Sequence, residues 1–516
     1  MSFIFDILES LAIAALMPLS GWRLLHYFQL ESYQLPGFYR SVKRNAKKAL
    51  LPWAALGAIL FFLALLGLPA ILCVLLLGAA SLLLFLQAKK EKLKKPFVLT
   101  ERVKRLIAMH AATAFMVSLI AGAAYPPLRW ALPAFEALLI ALAAVCAQPI
   151  EKQINQQFID DAKNRLDKNP ALIKIGITGS YGKTSTKFLL RDILSVKYNV
   201  LATPSSFNTT MGVTRVIREQ LMPSHQVFIA EMGARHVGDI KELVDLVHPT
   251  MGLLTSVGPQ HLDTFGTIER IKNTKYELID GLPENGTAIL ARDGAICEEL
   301  YSRCPLKKKY MPGDLMTASD MEWGPFGTRF TLTDVETGES ARCETRLLGE
   351  HSIANLLLCC TAARTLGMTP AEIAQGVARC QPVEHRLELL SGGGGVSIID
   401  DAFNANPVGA KAALRVLKGF PGRRIIITPG MVELGGEEAQ FNREFGEQMA
   451  DSVDVAILVG RRHTQPIVEG LTAKGFPNEK IHVVSSLEES TKVLHAMMQA
   501  GDVVLYENDL PDNYSE

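Results

Sequence analysis

Leu172–Thr186 reads LIKIGITGSYGKTST. A run of β-branched and apolar residues leads into Gly179, Gly182, Lys183 and Thr184, and a helical pattern follows. Strand, glycine turn and helix together aim backbone N–H groups and the positive end of a helix at phosphate. Lys183 would then reach the β- and γ-phosphates of a nucleotide, and the Thr184 hydroxyl would hold Mg²⁺. The spacing is shorter than G-x-x-x-x-G-K-[ST], so the general P-loop pattern is not met in full, and an ordinary tight turn is the competing reading. The strand before the loop and the Lys-Thr-Ser-Thr after it favour a nucleotide site.

Downstream, Asn199–Thr203, Gln226–Glu231, Thr250–Val257 and Thr287–Ala291 read as strands separated by helical segments, which argues for an α/β unit with a parallel sheet. Near Met316–Asp334 the alternation with Gly and Pro suggests a small antiparallel insert. Open α/β sheets bind ligands at the carboxyl ends of their strands, where Glu231 ends VFIAEMGA and His261 follows TSVGPQHLD. In the helix IERIKNTKYELIDGL, Lys275 interrupts the apolar stripe of Ile271, Leu278 and Leu282. An inward lysine is costly unless it is paired or chemically altered. Each of the three also has an ordinary reading: a helix cap, a satisfied loop histidine, a snorkelling amine.

Further on, GVSIIDDAFNANP runs from an apolar strand into a turn, placing Asp400, Asp401, Asn404 and Asn406 at the strand's carboxyl end. Arg424–Pro429, Val453–Gly460, Ile481–Ser485 and Asp502–Tyr506 supply further strands, so a Rossmann-like domain closes the chain.

Upstream, Leu50–Gly67, Pro69–Leu86, Leu106–Ala124 and Trp130–Gln148 are apolar runs near membrane-spanning length. Phe3–Leu25 is a weaker fifth candidate because Asp6 and Glu9 lie in its first turns; the alternative is that it rests in the interface. Basic clusters at Arg40–Lys48 and Lys89–Arg105 should be cytoplasmic, while the Leu66–Pro69 and Tyr125–Arg129 turns face out. This predicts a multi-pass protein of the cytoplasmic membrane whose later domains lie in the cytoplasm. The polar, helix-like stretch that follows reads as a linker. Over 516 residues the formal net charge is zero, so nothing points to nucleic acid. Eight scattered Cys without a C-x-x-C pair suit a reducing compartment rather than a disulfide framework or zinc site.

The motifs together resemble the Mur ligase family, most closely its branch that adds D-alanyl-D-alanine to a muramoyl tripeptide. ITGSYGKTST is similar to the family's ATP loop, which brings Ser180 and Ser185 into the nucleotide set beside Gly179, Gly182, Lys183 and Thr184. EMGARHVGDI and GPQHLDTFGTIERIKNTKYE resemble its next two motifs. The resemblance implies Glu231 and His261 as Mg²⁺ ligands with Thr184, and Lys275 as a lysine carbamylated by CO₂. It carries H-x-x-x-N onto His351 and Asn355, with Asn355 expected at adenine, and P-V-x-x-R-L onto Arg386, expected at the nucleotide with Asp401. DDAFNANP is close to D-D-S-Y-N-A-N-P, which implies substrate contacts from Asp400, Asn404 and Asn406.

The expected organisation is a transmembrane region over 1–150, a linker over 151–170, a central ATP-binding domain over 171–382 and a C-terminal Rossmann-like domain over 383–516. Two departures stand out. Membrane helices occupy the place of the family's UDP-sugar domain, and the family's terminal Lys-Gly-Ser is here Glu507-Asn508-Asp509-Leu510. The implied activity is an ATP- and Mg²⁺-dependent amide ligase, with Lys183, His261 and Lys275 catalytic, that passes through an acyl phosphate. The expected partners are a cell-wall muramoyl peptide, with a lipid-linked form in view, a small D-amino acid or dipeptide, and membrane lipids. A membrane transporter or scaffold with a ligase-like regulatory domain is the alternative.

Overall fold

The computed structural model describes residues 2–91, 96–205, 207–324, 326–403, 405–432 and 434–509. Asn404 and the basic residues Lys92, Lys94 and Lys95 therefore lie outside the described residues. The chain forms two compact units, Met1–Gln157 and Phe158–Glu516.

The first unit is helical. Among the described residues four stretches are long and apolar enough to cross a membrane: Ala46–Leu65, Ala70–Lys90, Glu101–Ala124 and Pro126–Asp167. Ile4–Ser20 and Trp22–Leu30, bent by 53°, would make a fifth if counted as one span. Asp6 and Glu9 weakened that stretch on sequence grounds, yet both meet Arg129, at 2.5 Å and 2.8 Å. The stretch read as the Tyr125–Arg129 turn opens a longer element. Pro126–Phe135 is a 3₁₀ helix that carries Arg129 into the bundle, fully buried. A Cβ at Gly122 would fall 1.9 Å from Arg129 Nη2, so that glycine makes room for the guanidinium. Residues 151–167, read above as linker, continue the helix Glu136–Asp167.

The second unit carries two six-stranded sheets and a small insert. Its strands are β1 (Ile173–Thr178), β2 (Val200–Ala202), β3 (Val227–Glu231), β4 (Met251–Leu254), β5 (Thr287–Leu290), β6 (Lys308–Tyr310), β7 (Met316–Gly324), β8 (Gly327–Asp334), β9 (Ser340–Thr345), β10 (Glu388–Ser391), β11 (Ser397–Asp401), β12 (Arg424–Thr428), β13 (Val455–Val459), β14 (Ile481–Val484) and β15 (Val503–Glu507). The first sheet is parallel with order β2-β3-β1-β4-β5-β6. Its central strands are apolar on both faces because a core packs on each side, one around Phe228, Leu254 and Leu278, the other around Ile175, Ile177 and Leu189. The loop after β1 sits where the strand order reverses, the crevice open α/β sheets use for ligands. β7, β8 and β9 form the expected antiparallel insert. The second sheet has order β10-β11-β15-β12-β13-β14, parallel except for β10 at its edge.

Candidate active site

The loop after β1 is held open by two glycines that no other residue could replace without movement. Gly179 has φ +148°, and a Cβ there would lie 1.9 Å from Thr255 Oγ1. Gly182, the left-handed N-cap of the helix Lys183–Leu194, would press a Cβ within 2.7 Å of Asn355 Oδ1. Asn355, on the helix Glu350–Thr365, is thereby placed against the phosphate loop. His351 on the same helix is half-buried, and desolvation of its ring pushes its pKa down to about 4 and keeps it neutral.

Lys183 Nζ donates to the carbonyls of Gly179 at 2.7 Å and Ser180 at 2.8 Å, so the loop curls around the ammonium. Burial depresses its pKa to about 8, against the opposing pull of Glu231. Glu231, at the end of β3, is the hub of the site. One carboxylate oxygen accepts from Thr184 Oγ1 at 3.1 Å and Asn208 Nδ2 at 3.1 Å, the other from Lys187 Nζ at 2.9 Å. Burial opposes the Glu231 charge, but the neighbouring lysines and hydrogen bonds prevail and hold its pKa below the usual carboxylate value. Thr184 and Glu231 form a pair of hard oxygen donors of the kind Mg²⁺ takes, usually keeping several waters. Among the described residues no cluster of three His, Cys, Asp or Glu side chains suited to a metal forms.

The loop after β4 is laced to the phosphate loop. Ser180 N donates to Ser256 O at 2.7 Å, Thr255 Oγ1 to Tyr181 O at 2.6 Å, and Ser180 Oγ to Gly258 O at 2.9 Å. His261 follows in left-handed conformation (φ +56°) as N-cap of Leu262–Phe265. Lys275 sits on the inward face of the helix Ile268–Asp280, 2% exposed beside the buried Ile271 and Leu278. Among the described residues no hydrogen bond or ion pair reaches it. Burial, reinforced by the Lys183 charge, drives its pKa well below the normal lysine value.

From the second sheet, Arg386 stacks on Phe403 with 4.4 Å to the ring centroid and feels both Asp401 and Glu231. A cavity of about 480 Å³ separates the two sides, lined by Thr184, Phe188 and Ser205 on one and by Val383, Arg386 and Phe403 on the other. Asp400 accepts from Ala402 N at 3.1 Å and pairs with His385 Nδ1 at 2.7 Å. Asp401 accepts from Leu387 N at 3.1 Å, which anchors the residue after Arg386. Asn406 caps the helix Pro407–Lys418 through Gly409 N at 2.9 Å, so its side-chain oxygen has a structural duty. Lys183, Thr184, Glu231, Asn355 and Arg386 thus share one neighbourhood, and Asp400 and Asp401 end the strand beside it.

Sequence reasoning missed Lys187, Asn208 and the role of Glu507. Lys187 stands one helical turn after Lys183 on the same helix, which was the available signal. Glu507 lies opposite Asp401 in the β11–β15 register and is buried. Asp401 is raised to about 6 by burial, and Glu507 is raised further, so the pair holds a proton between them. Asn508 donates to Gly430 O and accepts from Ala405 N at 3.1 Å, stitching the Asp401–Asn406 turn to the loop after β12. The Glu507–Asn508 departure therefore has a structural place.

The Mur ligase middle domain model matches residues 177–363, and the Mur ligase glutamate ligase domain model matches residues 385–506. The UDP-N-acetylmuramoyl-tripeptide–D-alanyl-D-alanine ligase of Bacillus subtilis is 30% identical over 339 residues, covering 64% of this chain and 72% of that protein. Its Escherichia coli counterpart is 30% identical over 333 residues, covering 62% and 73%. Among solved structures, MurF from Acinetobacter baumannii superposes with a TM-score of 0.63 at 24% identity over 70% of this chain and 78% of that one. MurF ligase from Thermotoga maritima in complex with ADP gives a TM-score of 0.61 at 26% identity, covering 69% and 80%.

Proposed function

From the premise that the chain belongs to the Mur ligase family, ATP-dependent ligases that form a carbon–nitrogen bond, we propose that it joins a D-alanyl-D-alanine-like amine to a muramoyl peptide at the cytoplasmic membrane. The observation that carries this reading is the convergence of Lys183, Thr184 and Glu231 from the first sheet with Arg386 from the second across one cavity. The substrate carboxylate attacks the γ-phosphorus of ATP, an O–P bond forms, and ADP leaves. The amine nitrogen then attacks the acyl carbon, the C–O bond to phosphate breaks, and phosphate departs as the nitrogen loses a proton.

In this reading Gly179, Ser180, Gly182 and Ser185 cradle the phosphates while Lys183 offsets the charge that builds on the transferring group. Thr184, Glu231 and His261 would hold Mg²⁺, which would supply further neutralisation of the phosphate oxygens. Asn355 faces adenine, and Arg386 and Asp401 close on the nucleotide from the far side. Asp400, Asn404 and Asn406 receive the amine substrate. Closure keeps water from the acyl phosphate. Lys275 suits carbamylation, because a buried amine kept neutral is nucleophilic toward CO₂, and the neighbouring Lys183 cation favours the carbamate anion. Its role then is to orient the acyl phosphate or to add a ligand near the metal.

The domain limits we infer are 1–150, 151–170, 171–382 and 383–516. Membrane residence is supported by the outside of the first unit, where Ile59, Phe62, Leu83, Ile120 and Leu138 are each more than half exposed. The basic clusters put the catalytic domains in the cytoplasm. Helices, rather than a nucleotide-binding α/β domain, precede the matched region, and that favours a lipid-linked acyl donor. The test is ADP release by the purified protein in detergent, with UDP-linked and lipid-linked muramoyl peptides in competition. Preference for the lipid-linked peptide is expected. Equal use of the UDP-linked form overturns the lipid assignment, and no ADP release with either overturns the ligase.

A further inference from the structure

We propose that a cavity within the helical unit is a binding site for the phosphate or pyrophosphate head of a membrane lipid, an assignment that rests on the lipid-linked reading above for the identity of its physiological occupant. The cavity, about 370 Å³, lies between the Phe28–Pro36 segment, the start of the helix Glu101–Ala124 and the 144–155 part of the helix Glu136–Asp167. Its two ends differ in chemistry. Phe28, Leu106 and Ala147 make an apolar floor, each nearly inaccessible to solvent. Gln148, Lys152 and Asn155 recur at i, i+4 and i+7, so a single helical stripe turns three polar heads toward the same space. Among the described residues none of the three has a hydrogen bond or ion pair to the protein.

Arg102 completes the polar end, its guanidinium held 4.1 Å from the ring centroid of Tyr33. The acid of the cavity, Glu151, is already spent. Both its oxygens accept from Arg105, at 2.6 Å and 2.9 Å, whereas Arg102 stands 3.8 Å away. Arg102 and Lys152 therefore present two cations with one neutralised carboxylate, a balance that takes an anion of charge about −2. A planar fork with a flexible ammonium beside it is a donor set suited to phosphate oxygens.

The occupant is amphipathic because the cavity does not end at its polar rim. Val145 and Leu35 line it and are also 50% and 38% exposed, so the apolar wall continues onto the outer surface of the bundle. An alkyl chain can follow that wall while the head stays with Arg102 and Lys152. A soluble pyrophosphate, including that of a UDP-linked precursor, shares the head chemistry but has nothing to lay along Val145.

The experiment measures binding of a long-chain alkyl pyrophosphate, of UDP and of inorganic pyrophosphate to the full chain in detergent micelles, by native mass spectrometry. The expected order is alkyl pyrophosphate far above the two soluble ligands. Arg102→Gln and Lys152→Gln should each weaken the alkyl ligand about fivefold, and Lys152→Glu more, as expected for loss of one cation near a membrane surface. Lys152 is exposed, so its variants keep the test informative should Arg102→Gln fail to fold. Unchanged alkyl pyrophosphate binding in the Lys152 variants overturns the site, even if lipid-linked peptides are substrates. Conversely, weakened binding in those variants while only UDP-linked donors turn over keeps the lipid site and removes the substrate reading. Equal binding of UDP and alkyl pyrophosphate, both lost in Lys152→Glu, leaves a phosphate site and overturns the lipid.

Discussion

Both units bury an apolar core, Ile13, Leu24 and Phe28 in the helical unit and Ile175, Phe228, Leu254 and Ile426 in the unit from Phe158 onward. They differ on the outside, where Ile59, Phe62, Leu83, Ile120 and Leu138 of the helical unit are each more than half exposed. An apolar exterior is what the proposed membrane residence requires. Buried charge differs as well. Arg129 is matched by two carboxylates, and Ser118 donates to Ser10 at 2.9 Å, contacts that tie helices together. At the candidate active site Lys187 is paired with Glu231, but among the described residues Lys275 has no hydrogen bond or ion pair, Lys183 donates only to carbonyls, and Asp401 faces a second acid in Glu507. Compensated charge holds a structure, whereas uncompensated charge is poised for a ligand or a proton.

That contrast breaks if charges at the cleft prove dispensable. Lys183→Ala and Glu231→Ala should each lower ATP-dependent ligation by ~10²–10³ while the helical unit stays folded. Rates of ADP release within tenfold of the parent would sink the assignment. Lys275→Ala should lose about 10² and recover in part with formate. The parent should also show a ¹³C-carbamate signal under labelled CO₂, and the signal should fade with activity as the pH falls, since protonating the amine releases CO₂. A silent spectrum at full activity would remove the carbamate. On the compensated side, Asp6→Asn with Glu9→Gln strands Arg129 in the bundle. Both acids are partly exposed, so the expected loss is about 2 kcal/mol, below the range for fully buried pairs. Thermal unfolding in detergent should show it with ADP release unaltered, and an unshifted transition would deny the triad its structural role.

Features set by neighbours in sequence were legible, and those set by neighbours in space were not. The strand–glycine–helix signal around Lys183 is local, and Lys275 betrayed itself by breaking a helical stripe. Lys187 reads as one more surface lysine until β3 lies beside β1 and brings Glu231 to its ammonium. Asp6 and Glu9 counted against Phe3–Leu25 as a span because their partner Arg129 is about 120 positions away in the chain. Asp401 and Glu507 become neighbours only when β15 inserts between β11 and β12.

The smallest expected effect concerns that last pair, and it sharpens the comparison by asking what an uncompensated acid costs. Two carboxyls opposite each other on adjacent strands repel when both are ionised, so one keeps a proton. The folded pKa of Asp401 is raised to about 6 and that of Glu507 lies well above its ordinary value, both chiefly by burial. Between pH 4 and those raised values the folded chain binds more protons than the unfolded one. Stability must then fall as the pH rises through that window. Glu507→Gln keeps a donor for Asp401 and removes the second charge. It should raise the stability of the second unit by about 1 kcal/mol at pH 8 and leave it unchanged near pH 4. Urea unfolding at the two pH values checks this, and equal gains at both would show that packing, not the shared proton, sets the effect.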